Sequence, residues 1–411
     1  MNSIPKVLIV APEYPFPADD GHKFRNFNLF RQFFSGFRFD LLCFGNPELL
    51  INLNNLAGKL GPCFENVNLI SPHTLQPLEN LSSLSKLKNI LYPFAHSIGI
   101  PGYSHNMEIA VNQKMSTQAY DLIFFSGFSS FLYFKPMNNI TPTIVDIIDS
   151  LSLYLKSYCK KHISIKSLIN YIWAIRYETI HFSKLRNMIF VSPVDKQCVA
   201  HKCPHSRIWV LPNGVDDQYY ISKSTVAKSN KNILFTGVMN YNPNNDSIIY
   251  FIKEIYPLIK ITIPDVSLTI AGKNPSSELL ATIRNRPDIK ATGSVDDMRA
   301  FFEEASVYVA PIIAGAGLKN KILEAWAMAR PVVSTTMGGY GLEAVDGDNL
   351  FFADTPRVFA DKVVSILKNP ELGRKLANNG RRTVEQHYSW KTQSDKLGEI
   401  FREVLEEGLT R

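Results

Sequence analysis

Short apolar runs rich in β-branched residues recur along the chain, each closed by turn residues and followed by a segment of helical period. That alternation constrains the fold more than any other feature, because neighbouring parallel strands need a crossover between them and a helix is the usual one. The runs fall into two series. The first comprises Lys6–Ala11, Arg38–Phe44, Val67–Ile70, Leu122–Ser126, Thr143–Ile148, Met188–Ser192 and Ile208–Leu211. The second comprises Asn232–Thr236, Val266–Ala271, Lys290–Thr292, Val307–Ala310, Val332–Thr335 and Leu350–Ala353. Between them lies Ile221–Lys231, ISKSTVAKSNK, which is polar, lacks aromatics and reads as an exposed linker. A chain of 411 residues is long enough for two cores. The expectation is therefore an α/β protein with two Rossmann-like parallel-sheet domains, residues 1–220 and 231–385, facing one another across a cleft. Residues 386–411 are expected to form a C-terminal helix packing back toward the first domain. The tail from Asp361 is helix-patterned, with Pro370 and Gly380 as punctuation and Trp390 as a large apolar anchor. Open parallel sheets bind ligands at the carboxyl ends of their strands, so one domain can hold a donor and the other an acceptor.

The net charge of +7 is unevenly placed. Ten basic residues lie between Leu151 and Val215, against Glu178 and Asp195, interleaved with Tyr154, Tyr158, Tyr171 and Trp173. Two readings stand: an ordinary solvated helix face, or attraction to an anionic lipid surface or polyanionic acceptor. No nucleic-acid partner is expected. The apolar run Val7–Ala11 stops at Pro12, far short of the roughly 20 residues of a membrane span. Five scattered cysteines, an odd number, argue against a disulfide framework. The chain is thus expected to be cytoplasmic, with peripheral contact at the inner membrane face following from the basic run. Cys198, His201, Cys203 and His205 are too compact for the usual paired zinc spacing, and Pro204 interrupts them, so no metal is expected there. His22, His181 and His387 read as structural or surface residues.

Pro311–Pro331, PIIAGAGLKNKILEAWAMARP, is the most informative segment. A buried strand runs into a loop with Gly315 and Gly317, and a helix is expected from near Leu318 with Ile322, Ala325, Trp326 and Ala329 on its core side. Glycines ahead of a helix let backbone amides approach a phosphate, and the helix start supplies partial positive charge. Lys319 and Lys321 fall in the first turn, where cations oppose the helix dipole unless an anion is near. Lys321 and Glu324, three apart, share a face; as an exposed pair alone they would contribute about 0.3 kcal/mol.

These residues carry a resemblance. Gly315, Ala316, Gly317 and Leu318, then Leu323, Glu324 and Ala325, then Pro331, Val332 and Val333, then Gly338, Gly339 and Glu343 resemble the signature of the retaining group-1 (family 4) glycosyltransferases. Lys321–Ala325, KILEA, is similar to the subgroup associated with exosortase and exopolysaccharide gene clusters. Further similar strings are LPNGVD at 211–216, FTGVMNYNPN at 235–244, IAGKNP at 270–275, TGSVDD at 292–297 and Tyr388–Trp390, with thinner likeness at 12–25 and 146–150. The resemblance implies the GT-B fold and retaining, metal-independent transfer of a sugar from a nucleoside-diphosphate sugar to a glycan or lipid-linked acceptor, with no cofactor. It implies that Glu324 hydrogen-bonds the donor ribose, that Gly237 admits the phosphates and that the Val295 region borders the base. Asn244 and Lys273, in the matching strings, join the expected donor contacts with Gly315, Gly317 and Lys319.

Two departures from the family pattern shape the expectations. The position eight before Glu324 is Ala316, so the first of two usual glutamates is absent, and sugar recognition is expected from backbone amides around Gly339 and Tyr340. Gly237 is followed by Val238, Met239, Asn240, Tyr241 and Asn242, without the usual Arg and Lys; Lys319 and Lys321 are expected to neutralise phosphate instead. In the first half, Gly21 and Arg25 follow a Pro- and Asp-rich loop, and Arg25 either reaches phosphate or acceptor or is a surface residue behind a capping loop. Asp146 and Asp149 end an apolar strand. Asp149 either orients the acceptor and stabilises an oxocarbenium-like sugar, or caps the next helix. The catalytic set is therefore Asp149, Lys321 and Glu324. An epimerase of the same architecture and a non-catalytic nucleotide-sugar-binding subunit are the alternatives.

Overall fold

The computed structural model describes residues 4–16, 18, 21–31, 36–46, 64–74, 104–117, 119–127, 130–133, 141–161, 163–216, 219, 231–314 and 317–409. Two compact units emerge, Met1–Pro212 with Lys391–Arg411, and Asn213–Trp390. The division thus falls ahead of the polar stretch 221–231, of which Lys231 alone is among the described residues, and the terminal segment joins the first unit from Lys391.

Among the described residues of the first unit, seven parallel strands lie in the order β3-β2-β1-β4-β5-β6-β7. They are β1 (Lys6–Ala11), β2 (Arg38–Phe44), β3 (Asn66–Ile70), β4 (Leu122–Ser126), β5 (Thr143–Ile148), β6 (Asn187–Phe190) and β7 (Arg207–Val210). Strand β1 is central and reads as a continuous apolar run because both its faces are covered. Alternate residues divide the core. Leu8, Val10, Ile123, Phe125, Val145 and Met188 share one cluster. On the other face Phe124 meets Phe401 of the helix Trp390–Leu409 edge to face at 5.6 Å, and Ser394 Oγ donates to Leu29 O at 2.6 Å.

The described residues of the second unit form six parallel strands in the order β10-β9-β8-β11-β12-β13. They are β8 (Asn232–Thr236), β9 (Ser267–Ala271), β10 (Ile289–Ala291), β11 (Val307–Ala310), β12 (Val332–Ser334) and β13 (Phe351–Phe352). Ile233, Phe235, Leu268, Val307 and Val309 pack with Phe359, Val363 and Ile366 of the helix Pro356–Lys368. Leu234, Ala271, Tyr308 and Ala310 pack with Ile322, Leu323 and Trp326 of the helix Asn320–Ala327.

Gly380 does not punctuate the tail, as its residue type suggested. It lies inside the helix Pro370–His387, where an added Cβ would come within 2.3 Å of Trp326 Cδ1, so the glycine is a notch for the indole. Trp390 is fully buried against Gly214. Among the described residues no helix is long and apolar enough to cross a membrane.

Candidate functional site

The carboxyl ends of β8, β9, β11 and β12 lie side by side because these strands are parallel neighbours. At the first two, backbone crowding demands glycine. Gly237 has φ +156° and Gly272 φ +143°, and a Cβ on Gly272 would stand 1.9 Å from Gly237 O. Gly237 N donates to Ala271 O at 3.1 Å and Met239 N to Lys273 O at 2.9 Å, so the two post-strand loops are tied together.

Lys321 enters this loop system from the helix Asn320–Ala327. Its Nζ donates to Asn244 Oδ1 at 2.6 Å and lies 4.7 Å from the centre of the Phe235 ring. Asn244 Nδ2 donates to Val238 O at 3.0 Å, which turns Oδ1 toward the ammonium. A Cβ on Gly237 would be 3.1 Å from Lys321 Nζ, so the cation sits directly beside the bare backbone. Desolvation, reinforced by the neighbouring charge of Lys319, lowers the Lys321 pKa to about 7, against an opposing pull from Glu324. Burial raises the Glu324 carboxyl to about 7, with Lys321 opposing. Each group is thus driven toward its neutral form. A bound diphosphate would reverse that for Lys321.

The helix begins two residues later than the sequence indicated. Lys319 is its N-cap and makes no side-chain capping bond, and its Nζ donates to Gly317 O at 2.8 Å. A helix start without a side-chain cap offers amides and partial positive charge to an anion. Gly317 has φ +76° in the approach. Gly315 and Ala316 lie outside the described residues.

Gly339 and Tyr340, where the sugar contacts are expected, follow β12. Their amides close the turn after β12, donating to Thr335 O at 3.3 Å and Met337 O at 3.4 Å. Gly339 is buried against Phe352, whose ring a Cβ would meet at 2.5 Å, while the Tyr340 side chain is exposed. Lys273 is exposed and Val295 half-buried in the loops following β9 and β10.

In the first unit, Arg25 is neither a surface residue nor directed at a ligand. It is 1 % exposed, with Nε 2.8 Å from Asp146 Oδ2 and a terminal nitrogen 3.0 Å from Leu211 O. Gly21 opens the helix Gly21–Arg31 in open space. Asp149 is exposed and follows Ile148, a β-branched residue at φ +74°. It is not the helix cap: Leu153 N donates to Ser150 Oγ at 3.2 Å, and Ser150 is itself held by Asp195 and Glu178. Cys198 packs against Ser150 and Ser152, and Cys203 is buried.

Sequence reasoning missed Gly272, although it lies within IAGKNP at 270–275, one of the strings that carry the resemblance. It also missed Phe235, whose role under the ammonium has no signature in a buried strand.

Residues 230–369 match the family model described as glycosyl transferases group 1. Across 97% of this chain and 99% of the relative, the chain is 23% identical to an uncharacterized 44.6 kDa protein in the cps region of Klebsiella pneumoniae. It is 26% identical to a phosphatidyl-myo-inositol mannosyltransferase of Mycobacterium leprae, covering 48% of this chain and 54% of that one. A crystal structure of Anabaena HepE in complex with UDP and glucose superposes with a TM-score of 0.62 and 15% identity, covering 96% of this chain and 99% of that one. The likeness to the solved structure shows the two-sheet fold.

Proposed function

We propose that this chain, whose residues 230–369 match the group-1 glycosyltransferase family model and whose two parallel sheets are of the GT-B kind, moves a sugar from a nucleoside-diphosphate sugar to a glycan or lipid-linked acceptor. In this reading transfer proceeds with retention at the anomeric carbon, without metal or cofactor, in the synthesis of a cell-surface polysaccharide or glycoconjugate. One observation carries the donor assignment: the Lys321 ammonium stands against the bare backbone of Gly237, held by Asn244. A diphosphate seated there receives the positive charge that a metal ion would otherwise bring, from Lys321 and Lys319, together with the amides of the helix start. Glu324, one turn on, accepts from the vicinal ribose hydroxyls. As the sugar–phosphate bond breaks, charge grows on the diphosphate where the cation is already placed, and the departing oxygen takes the acceptor proton on the same face. Asp149, exposed at the end of β5, orients the acceptor hydroxyl.

The relatives support the class. UDP and glucose are bound by the structural neighbour, the K. pneumoniae relative comes from a cps region, and the M. leprae relative is a phosphatidyl-myo-inositol mannosyltransferase, which supports a lipid-linked acceptor. A family model of transferases over the donor half does not favour epimerisation. The test is a hydrolysis and binding screen across UDP-, GDP-, dTDP- and ADP-sugars. The expected result is nucleoside diphosphate release from one donor class, lost in Lys321→Ala. Donor binding with no turnover on any glycan or lipid acceptor would instead establish the non-catalytic subunit.

A further inference from the structure

The helix Ile165–Phe182 turns apolar residues outward. Ile165 is 81% exposed, Leu168 55%, Ile169 45% and Ile172 55%, with Ile163 at 91% just before the helix and Ile180 at 41% near its end. At 100° per residue, positions 165, 168, 169, 172, 176 and 180 share one sector of about 120°. The opposite face is ordinary core: Ser167, Ala174, Tyr177, Glu178 and Phe182 are buried, and Ala174 packs with Leu151 and Leu155 of the preceding helix Leu151–Lys161. The helix is amphipathic in the usual sense on its inner side and apolar again on its outer side. A capping box between Ser164 and Ser167 fixes its start, so the outer stripe is preformed.

The charge around the stripe has one sign. Between Ser150 and Val194 the sequence carries Lys156, Lys160, Lys161, Lys166, Arg176, Lys184 and Arg186 against a single acid, Glu178. Glu178 is fully buried and paired with Lys202 Nζ at 2.6 Å, so it does not offset the positive face. Lys166 and Arg176 are exposed on the helix itself, and Lys156, Lys184 and Arg186 are exposed beside it.

We propose that the outward face of Ile165–Phe182 is a docking surface for an anionic membrane. The aliphatic side chains enter the boundary between headgroups and acyl chains, while the lysine and arginine heads remain at the phosphates. Charge complementarity selects this occupant over a second copy of the chain, since pairing two copies through this face would bring like charges together. The inference deepens the acceptor half of the proposed function, but membrane docking itself requires no donor chemistry.

The experiment is flotation of the full chain with vesicles of phosphatidylcholine alone and with vesicles that also contain phosphatidylglycerol, at low and high salt. The wild type should float with the anionic vesicles and lose binding as salt rises. The variant I165S/L168S/I172S should partition at least roughly tenfold more weakly, equivalent to about 1.4 kcal/mol. K166Q/R176Q should lose the preference for anionic lipid while keeping part of the apolar binding. Donor hydrolysis in vesicle-free buffer should be unchanged in both variants, which separates failure here from failure of the donor-site reading. The proposal is overturned if the wild type ignores anionic vesicles at low salt, or if the triple variant binds as well as the wild type. It is equally overturned if sedimentation shows a dimer that the triple variant dissolves.

Discussion

Replacing Lys321 by alanine tests the donor site most directly. The ammonium lies against Asn244 Oδ1 at 2.6 Å and the Phe235 ring at 4.7 Å, and neither is an anion. Desolvation has already lowered its pKa to about 7, so its environment without ligand disfavours the charge. A hydrogen bond to a charged partner contributes about 1.5–3 kcal/mol, and a preorganised donor at developing transition-state charge is worth roughly 10²–10³ in rate. Lys321→Ala should therefore lower kcat/KM roughly a hundredfold, about 2.7 kcal/mol, with most of the loss in kcat. Folding should suffer little, because the same change removes a desolvated cation and leaves only the Asn244 acceptor without its partner. Lys273→Ala is the control: this lysine is exposed in the loop after β9 and should cost no more than about 1 kcal/mol. The assay is steady-state transfer or donor hydrolysis beside a thermal melt of each variant. Equal, small losses in the two variants, or a Lys321→Ala defect that tracks lost thermal stability, would refute the reasoning.

The pH dependence of donor-free stability should pass through a minimum near neutrality. Glu324, raised from 4.5 to about 7, is more protonated in the folded state, so its contribution is full below 4.5 and is lost as pH rises through 7. Lys321, lowered from 10.5 to about 7, is less protonated when folded, so stability returns as pH rises from about 7 to 10.5. Melts of Glu324→Gln and Lys321→Met across pH should each flatten one limb; unchanged limbs would contradict the desolvated pair. Gly380→Ala drives a Cβ against Trp326, whose Nε1 donates to Asn349 O at 2.9 Å and resists displacement. Overpacking of this kind costs about 1–3 kcal/mol, visible as a lower melting midpoint. Asp146→Asn should destabilise by about 3–5 kcal/mol in denaturant titration, since it strands the buried Arg25 charge. Asp149→Asn should reduce turnover with an unchanged midpoint, because Ser150 caps the following helix; a parallel loss of stability would return Asp149 to a structural role.

The strands were legible because a parallel strand covered on both faces must be apolar at successive positions, as β1, β4, β8 and β11 are. Their ends were less so. Hydrophobicity placed β6 at Met188–Ser192 and β7 at Ile208–Leu211, whereas the ladder begins at Asn187 and Arg207. Pairing depends on backbone hydrogen bonds that polar flanking residues make equally well. The fate of Arg25 was illegible for a different reason: Asp146 is 121 residues away, and only the adjacency of β1, β4 and β5 brings them together. The turn at Gly339 and Tyr340 was illegible in the same way, since no residue type announces that their amides donate to Thr335 O and Met337 O.

What did survive translation from sequence to structure is the dipole conflict at the helix start. A cation in the first turn is locally unfavourable, and the loop after β8, from Gly237 to Asn242, contains no lysine or arginine. Lys321 resolves both facts at once, because the helix directs its side chain back to Gly237 of that loop and to Asn244 of the helix that follows it. Helical spacing then couples it to Glu324: residues three apart share a face, so under the proposed donor reading any movement of the helix that shifts the cation from the phosphates also shifts the carboxylate from the ribose. The two groups proposed to hold phosphate and ribose are thereby mounted on one element whose other face, Ile322, Leu323 and Trp326, is locked into the core. The precision of the proposed donor site therefore rests on the packing of that apolar face.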